Sequence, residues 1–144
     1  MKTEVFFLIG LLCMVLLVSG CTDPKPNFSF NIDKTALTIE DNSTSTFVTA
    51  TVKRLDNTDT PVIVTLKLSS MTPEMIYPVD ASGRNITQLQ TKTLEGKGSQ
   101  DTLQFKVFGL KKGLVEAKSQ IDIAFWYDNE PVPENKRSIS ILVR

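Results

Sequence analysis

Histidine is absent from this 144-residue chain, and cysteine occurs only at Cys13 and Cys21. Proton relays and transition-metal sites draw mainly on these two side chains, so the usual Ser-His-Asp triads, Cys-His dyads and zinc sites cannot be built. An excess of one charge is missing as well: 16 Lys+Arg stand against 16 Asp+Glu. A nucleic-acid binder would carry a basic excess, so no nucleic-acid partner is expected. Glycine and proline, at 7 each, show no excess, which excludes collagen-like and low-complexity chains. With 41% hydrophobic and 22% charged residues, what is left is a folded chain long enough for one domain.

A leader opens the chain. Lys2 precedes a largely apolar run from Val5 to Val18, followed by the small residues Ser19 and Gly20 and then Cys21. That run is the length of a secretory hydrophobic region and falls short of the roughly 20 residues that cross a bilayer. Leu16 and Leu17 followed by Val18-Ser19-Gly20-Cys21 resemble the lipobox of prokaryotic lipoproteins. The resemblance implies that residues 1–20 are a cleaved signal peptide and that the Cys21 sulfur receives a diacylglyceryl group as the new N-terminus. A two-chain lipid holds a protein stably on a membrane. The expected location is extracytoplasmic, on the cell membrane surface. With Cys21 used by lipid and Cys13 removed, the domain has no internal disulfide to rely on and depends on its core.

Residues 21–27 read as a short tether, because Pro24 and Pro26 block helix and favour an extended spacer. From residue 28 to 144 the apolar residues recur with period two, the mark of half-buried strands. Six runs are clear: Phe28 to Ile32, Val48 to Val52, Val62 to Leu68, Leu103 to Val107, Ile121 to Tyr127 and Ile139 to Val143. Leu37 to Ile39, Met75 to Val79 and Gln88 to Leu94 are weaker strands. Turn residues fall between them at Asp33-Lys34, Asp41-Asn42-Ser43, Asp56 to Asp59, Ser82 to Asn85, Gly96 to Gly98 and Pro131 to Asn135. Leu110, Leu114, Ala117 and Ile121 have helical spacing, but Gly109 and Gly113 limit it to one turn at most. The expected fold is all-β, an immunoglobulin-like antiparallel β-sandwich of seven to nine strands, with a small barrel as the alternative.

The stretch Val48 to Leu68, with paired strands around Asp56-Asn57-Thr58-Asp59-Thr60-Pro61-Val62, is similar to the opening of CARDB-like and related Ig-like modules of archaeal and bacterial surface proteins. Gly96-Lys97-Gly98 before Thr102 to Val107 fits their polar turn before a strand. This resemblance implies adhesion, spacing or assembly, and it transfers no binding residue.

Chemistry in the sequence is sparse. A Ser-Lys nucleophile needs a lysine beside a serine, but strand alternation puts Lys67 and Ser69 on one exposed face as solvated residues. Nothing marks a carboxylate pair for glycoside hydrolysis. Asp56, Asn57 and Asp59 form one acidic turn and Asp128-Asn129-Glu130 another; they lack calcium-loop spacing and read as turn formers, so no metal and no cofactor is expected. Asn27, Asn42 and Asn85 each open an Asn-X-Ser/Thr sequon. If Val48, Val64, Phe105, Phe125 and Ile141 face the core, then Phe47, Ile63, Phe108, Trp126 and Leu142 face the other way and are candidates for a partner surface. Trp126 and Leu142, on consecutive strands, would make a cross-strand pair. The terminal strand Ser138 to Arg144 could instead add to a neighbour's sheet.

These residues indicate a non-enzymatic, lipid-anchored surface domain. Its partners would be the membrane, through Cys21, and an envelope protein or polysaccharide, in adhesion, assembly or partner binding. A small extracytoplasmic hydrolase or an accessory substrate-binding lipoprotein is the alternative.

Overall fold

A computed structural model describes residues 25–144. The leader, Cys21 and the first residues of the tether lie outside the described residues. Ten strands follow in order: β1 Phe28–Ile32, β2 Ala36–Ile39, β3 Ser43–Thr44, β4 Val48–Arg54, β5 Val64–Ser70, β6 Ile76–Val79, β7 Gln88–Gln90, β8 Gln100–Gly109, β9 Ala117–Tyr127 and β10 Glu130–Val143. All nine expected strands are present, and the two-residue β3 is additional.

The strands form two sheets. In the first, β1 pairs with β4, β4 with β8, and β8 with β6. β3 lies on the same side of β8 as β4: Thr44 stands opposite Phe108 and Val48 opposite Phe105, so the first strand carries one extra residue and bulges there. The buried Ser45 stitches this bulge, its hydroxyl accepting the Val107 N–H at 3.0 Å. The second sheet runs β2-β10-β9-β5-β7. Both sheets turn their apolar faces inward and enclose Phe105, Phe125, Leu66, Ile121, Ile123 and Ile139, all essentially inaccessible to solvent. Phe30 of β1 packs on Phe125 of β9 with ring centroids 3.9 Å apart, so aromatic contact bridges the two layers. The result is an all-β, immunoglobulin-like sandwich.

Three expectations about connections need correction. Asp33-Lys34 is not a hairpin turn: β1 lies in the first sheet and β2 in the second. β2 runs parallel to β10, the one parallel pair among the described ladders. The strands either side of Asp56 to Asp59 are not paired with each other either. β4 belongs to the first sheet and β5 to the second, so this segment crosses the sandwich. Pro131 to Asn135 is not the turn of the last hairpin: Tyr127 pairs with Glu130, and the chain reverses at Asp128 and Asn129, with φ of 49° and 60°. Asp and Asn tolerate this left-handed conformation, and two such residues make the tight hairpin turn whose twist matches the strands. The pairing is irregular between Pro131 and Lys136, where Pro131 has no N–H to give. The helix-like spacing at 110–121 yields a turn, after which Ala117 and Ile121 are buried in β9.

β10 lies between β2 and β9. Over Ser140 to Val143 both of its edges are occupied, so this end of the terminal strand is not free to add to a neighbour's sheet.

Candidate functional site

The tether enters at one end of the sandwich, beside the ends of β4 and β9 and the start of β8. That end is locked by a side chain that strand alternation had not singled out. Arg54, at the last position of β4, is fully buried and is the largest side chain with no exposure. Its Nε donates to both oxygens of Asp56 at 3.1 Å, and Nη2 to Asp56 Oδ1 at 3.0 Å. Nη1 reaches the carbonyls of Thr60 at 2.5 Å and Leu94 at 3.0 Å, and Nη2 also donates to the Thr58 hydroxyl. All five guanidinium donors therefore have acceptors. Asp56 in turn accepts the backbone N–H groups of Thr58 at 3.1 Å and Asn27 at 3.0 Å. The Arg54 guanidinium, helped by Thr58, Asn27 and their amides, holds the Asp56 carboxyl well below the usual carboxylate range against the opposing effect of burial. One acidic turn is thereby consumed by structure. Among the described residues no three Cys, Asp or Glu side chains converge as a metal site would require.

The five outward apolar residues do not form one surface. Phe47 and Phe108 belong to the first sheet, where Phe108 stacks on Tyr77 of β6 with centroids 5.1 Å apart and the Lys106 ammonium lies 4.7 Å from the Phe47 ring centroid. Ile63, Trp126 and Leu142 belong to the second sheet. Trp126 is paired with Thr65 and Pro131, whereas Leu142 is paired with Lys118 and Thr38. Eight residues of β9 separate these positions, about 26 Å, so Trp126 and Leu142 make no cross-strand pair. The long β9–β10 ladder puts them at opposite ends of the hairpin.

Ile63 and Trp126 do meet. They line a groove of about 320 Å³ on the outer face of the second sheet, together with Thr65, Lys67, Gln88, Gln90, Asp128 and Asn129. Trp126 is half-buried, and Ile63 remains 48% exposed. The Lys67 ammonium lies 3.4 Å from the Trp126 ring centroid, a cation–π contact on the strand's solvent face. Lys67 is thus engaged by an indole and not by Ser69. β7 borders the groove with the amides of Gln88 and Gln90, the latter donating weakly to the Thr65 hydroxyl at 3.3 Å. The Asp128–Asn129 turn closes the tether end of the groove, and Asp128 also lines a second cavity of about 520 Å³ with Lys25, Pro26, Thr58, Thr60, Tyr127 and Glu130. The two acidic turns, far apart in sequence, are brought to this same end. Sequence alternation pointed to Trp126 and Ile63; it had no signal for Gln88 and Gln90, which become neighbours only because β7 adds to β5.

The three sequon asparagines are all exposed. Asn42 sits in a turn at φ 55°, Asn85 is bridged to Val79, and Asn27 directly precedes β1 beside the Arg54 knot.

No protein-family model matches the sequence, and no curated protein does. Among solved structures the chain is similar to alpha-2-macroglobulin of Escherichia coli, in a crystal structure from domain MG7 to the C-terminus, at 16% identity over 83% of this chain and 16% of that one, with a TM-score of 0.49. It is also similar to a CARDB domain from Pyrococcus furiosus solved with di-metal ions, at 16% identity over 82% and 91% of the two chains and a TM-score of 0.47. A third is the periplasmic chaperone SfaE, at 11% identity over 81% of this chain and 56% of that one, TM-score 0.41.

Proposed function

We propose that this chain is a non-enzymatic, lipid-anchored domain on the outer face of a cell membrane that binds an envelope partner. The observation that carries the reading is the Trp126 groove. A half-buried indole with an exposed isoleucine and a ring of amides, on the outer face of the second sheet, offers contact area to a partner. The lipobox at Val18 to Cys21 supports anchoring, and the tether leads from Cys21 to the end of the sandwich that carries the groove. The environments of Lys67 and Asp56 support a binding role over catalysis: the amine lies on a ring, and the carboxylate is saturated by Arg54. Asn42 and Asn85, exposed at turns, are the sequon residues open to a glycosyltransferase.

Mass spectrometry of the protein from its native host tests the anchor. A chain beginning at Cys21 with added diacylglyceryl mass is expected; a chain retaining Met1 with unmodified Cys21 overturns it. For the groove, Trp126→Ala should abolish capture of the native partner while moving the melting temperature by only a few degrees. A variant that unfolds, or that still binds, removes Trp126 from the contact surface.

A further inference from the structure

We infer that the groove beside Trp126 is a saccharide site that takes one or two rings of a neutral, hydroxyl-rich glycan; this rests on the envelope-binding reading above and names its ligand. The lining matches that chemistry group by group. A sugar ring has an apolar face of C–H bonds, which an indole complements, and a rim of hydroxyls that both donate and accept. Planar amides and carboxylates suit such hydroxyls, because each offers two polar atoms at fixed spacing. Gln88, Gln90, Asn129 and Asp128 supply them around a single aromatic ring. The Gln88 and Asn129 side chains and the Trp126 indole N–H have no hydrogen-bond partner within the described protein, and the groove is open to solvent. At about 320 Å³ it lies at the small end of ligand sites, roughly 300–1,000 Å³.

The geometry also argues against an acidic glycan and a flat protein partner. Among the described residues Lys67 is the only cation lining the groove, and Asp128 opposes it there. The charge of the cleft is balanced, and a polyanion would gain little. A protein partner would be expected to press on an apolar core, but only Ile63 and Trp126 are apolar here. Lys67 is exposed, and it rests on the indole at 3.4 Å from the centroid. A sugar stacking on that face displaces the ammonium, which returns to water. The lysine is a movable cover for the ring and not a charge selector.

The test is an array of neutral, amino-sugar and uronic-acid glycans probed with the mature chain purified in detergent, followed by titration of the best neutral glycan against Trp126 fluorescence. The indole is the chain's only tryptophan, so its emission should shift on binding. Trp126→Ala should weaken binding by about tenfold or more, and Trp126→Phe much less. Gln88→Ala should weaken it about threefold, and Lys67→Ala should leave it unchanged or tighter. Gln88→Ala keeps the test sound if Trp126→Ala fails to fold, since Gln88 is exposed. Absence of any bound glycan, binding indifferent to Trp126→Ala and Gln88→Ala, or binding confined to acidic glycans and lost in Lys67→Ala would each overturn the inference. The mass of the Cys21 peptide reports separately on the anchored-surface reading, so the two fail independently.

Discussion

Removing the carboxylate of Asp56 is the sharpest perturbation that this fold offers. Arg54 is fully buried, and three of its guanidinium bonds run to Asp56. Asp56→Ala leaves the buried guanidinium without its counter-charge. Breaking a buried pair in this way costs about 3–5 kcal/mol, most of it the penalty of the orphaned charge. Over a domain of this size that corresponds to a fall in melting temperature of roughly 10–20 °C. Deleting the charge altogether is a different experiment. Arg54→Met frees the Thr60 and Leu94 carbonyls from their donors but leaves Asp56 with the amides of Thr58 and Asn27. In the Arg54→Met background, Asp56→Ala should cost less than about 1 kcal/mol, so the double-mutant cycle should show coupling of about 2–4 kcal/mol. Urea unfolding followed by Trp126 fluorescence and far-UV circular dichroism measures all four proteins. If Asp56→Ala costs under about 1 kcal/mol in the wild-type background, or costs the same in both, the account of Arg54 as a buried charge held by Asp56 is refuted.

Acid should find the same knot. Asp56, Asp80 and Asp122 are all held below the usual carboxylate range: Asp56 chiefly by Arg54, Asp80 chiefly by the Ser82 hydroxyl, and Asp122 chiefly by Gln120 and then Ser138. A depressed folded value means stability that is present above the unfolded value near 4 and is lost as pH falls below it. The urea midpoint should drop between about pH 5 and pH 2, and Asp56→Asn should flatten that slope. At Gly109 an added Cβ would meet Val143 Cγ2 at 2.7 Å and Ile39 Cγ2 at 3.4 Å. Gly109→Ala should therefore cost about 1–3 kcal/mol, with Val143→Ala partly restoring the melting temperature. In the hairpin turn at Asp128 and Asn129, Asn129→Gly should be neutral or slightly stabilising, whereas Asn129→Val should cost about 1–2 kcal/mol because a β-branched residue resists φ of 60°. Thermal melts of the two variants side by side check this.

Alternation of apolar and polar residues was enough to read nine strands, an all-β sandwich and the inward set Val48, Val64, Phe105, Phe125 and Ile141, each of them buried. Period two is local information: side chains on a strand must point to opposite faces whatever the strand pairs with. The same local rule named Trp126 and Ile63 as outward residues. It says nothing about partners. Which strands pair, and in which register, depends on crossings between the sheets, and those depend on contacts distant in sequence. Hence Asp56 to Asp59 looked like a hairpin turn but crosses the sandwich, and of the two neighbouring segments read as turns, Asp128-Asn129-Glu130 holds the chain reversal whereas Pro131 to Asn135 lies within β10. Arg54 was hidden for the same reason. On the chain it is one more charged residue at the end of a strand, and only the convergence of Asp56, Thr58, Thr60 and Leu94 makes its burial affordable.

The sequence by itself therefore determined the strand content, the inward faces and the resemblance of the leader to a lipobox, since each of these is written in neighbouring residues. Only the tertiary structure decided that β2 runs parallel to β10, that Trp126 stands far from Leu142, and that Gln88 and Gln90 join the indole in one groove. Those are matters of register and topology, set when two sheets bury a common core.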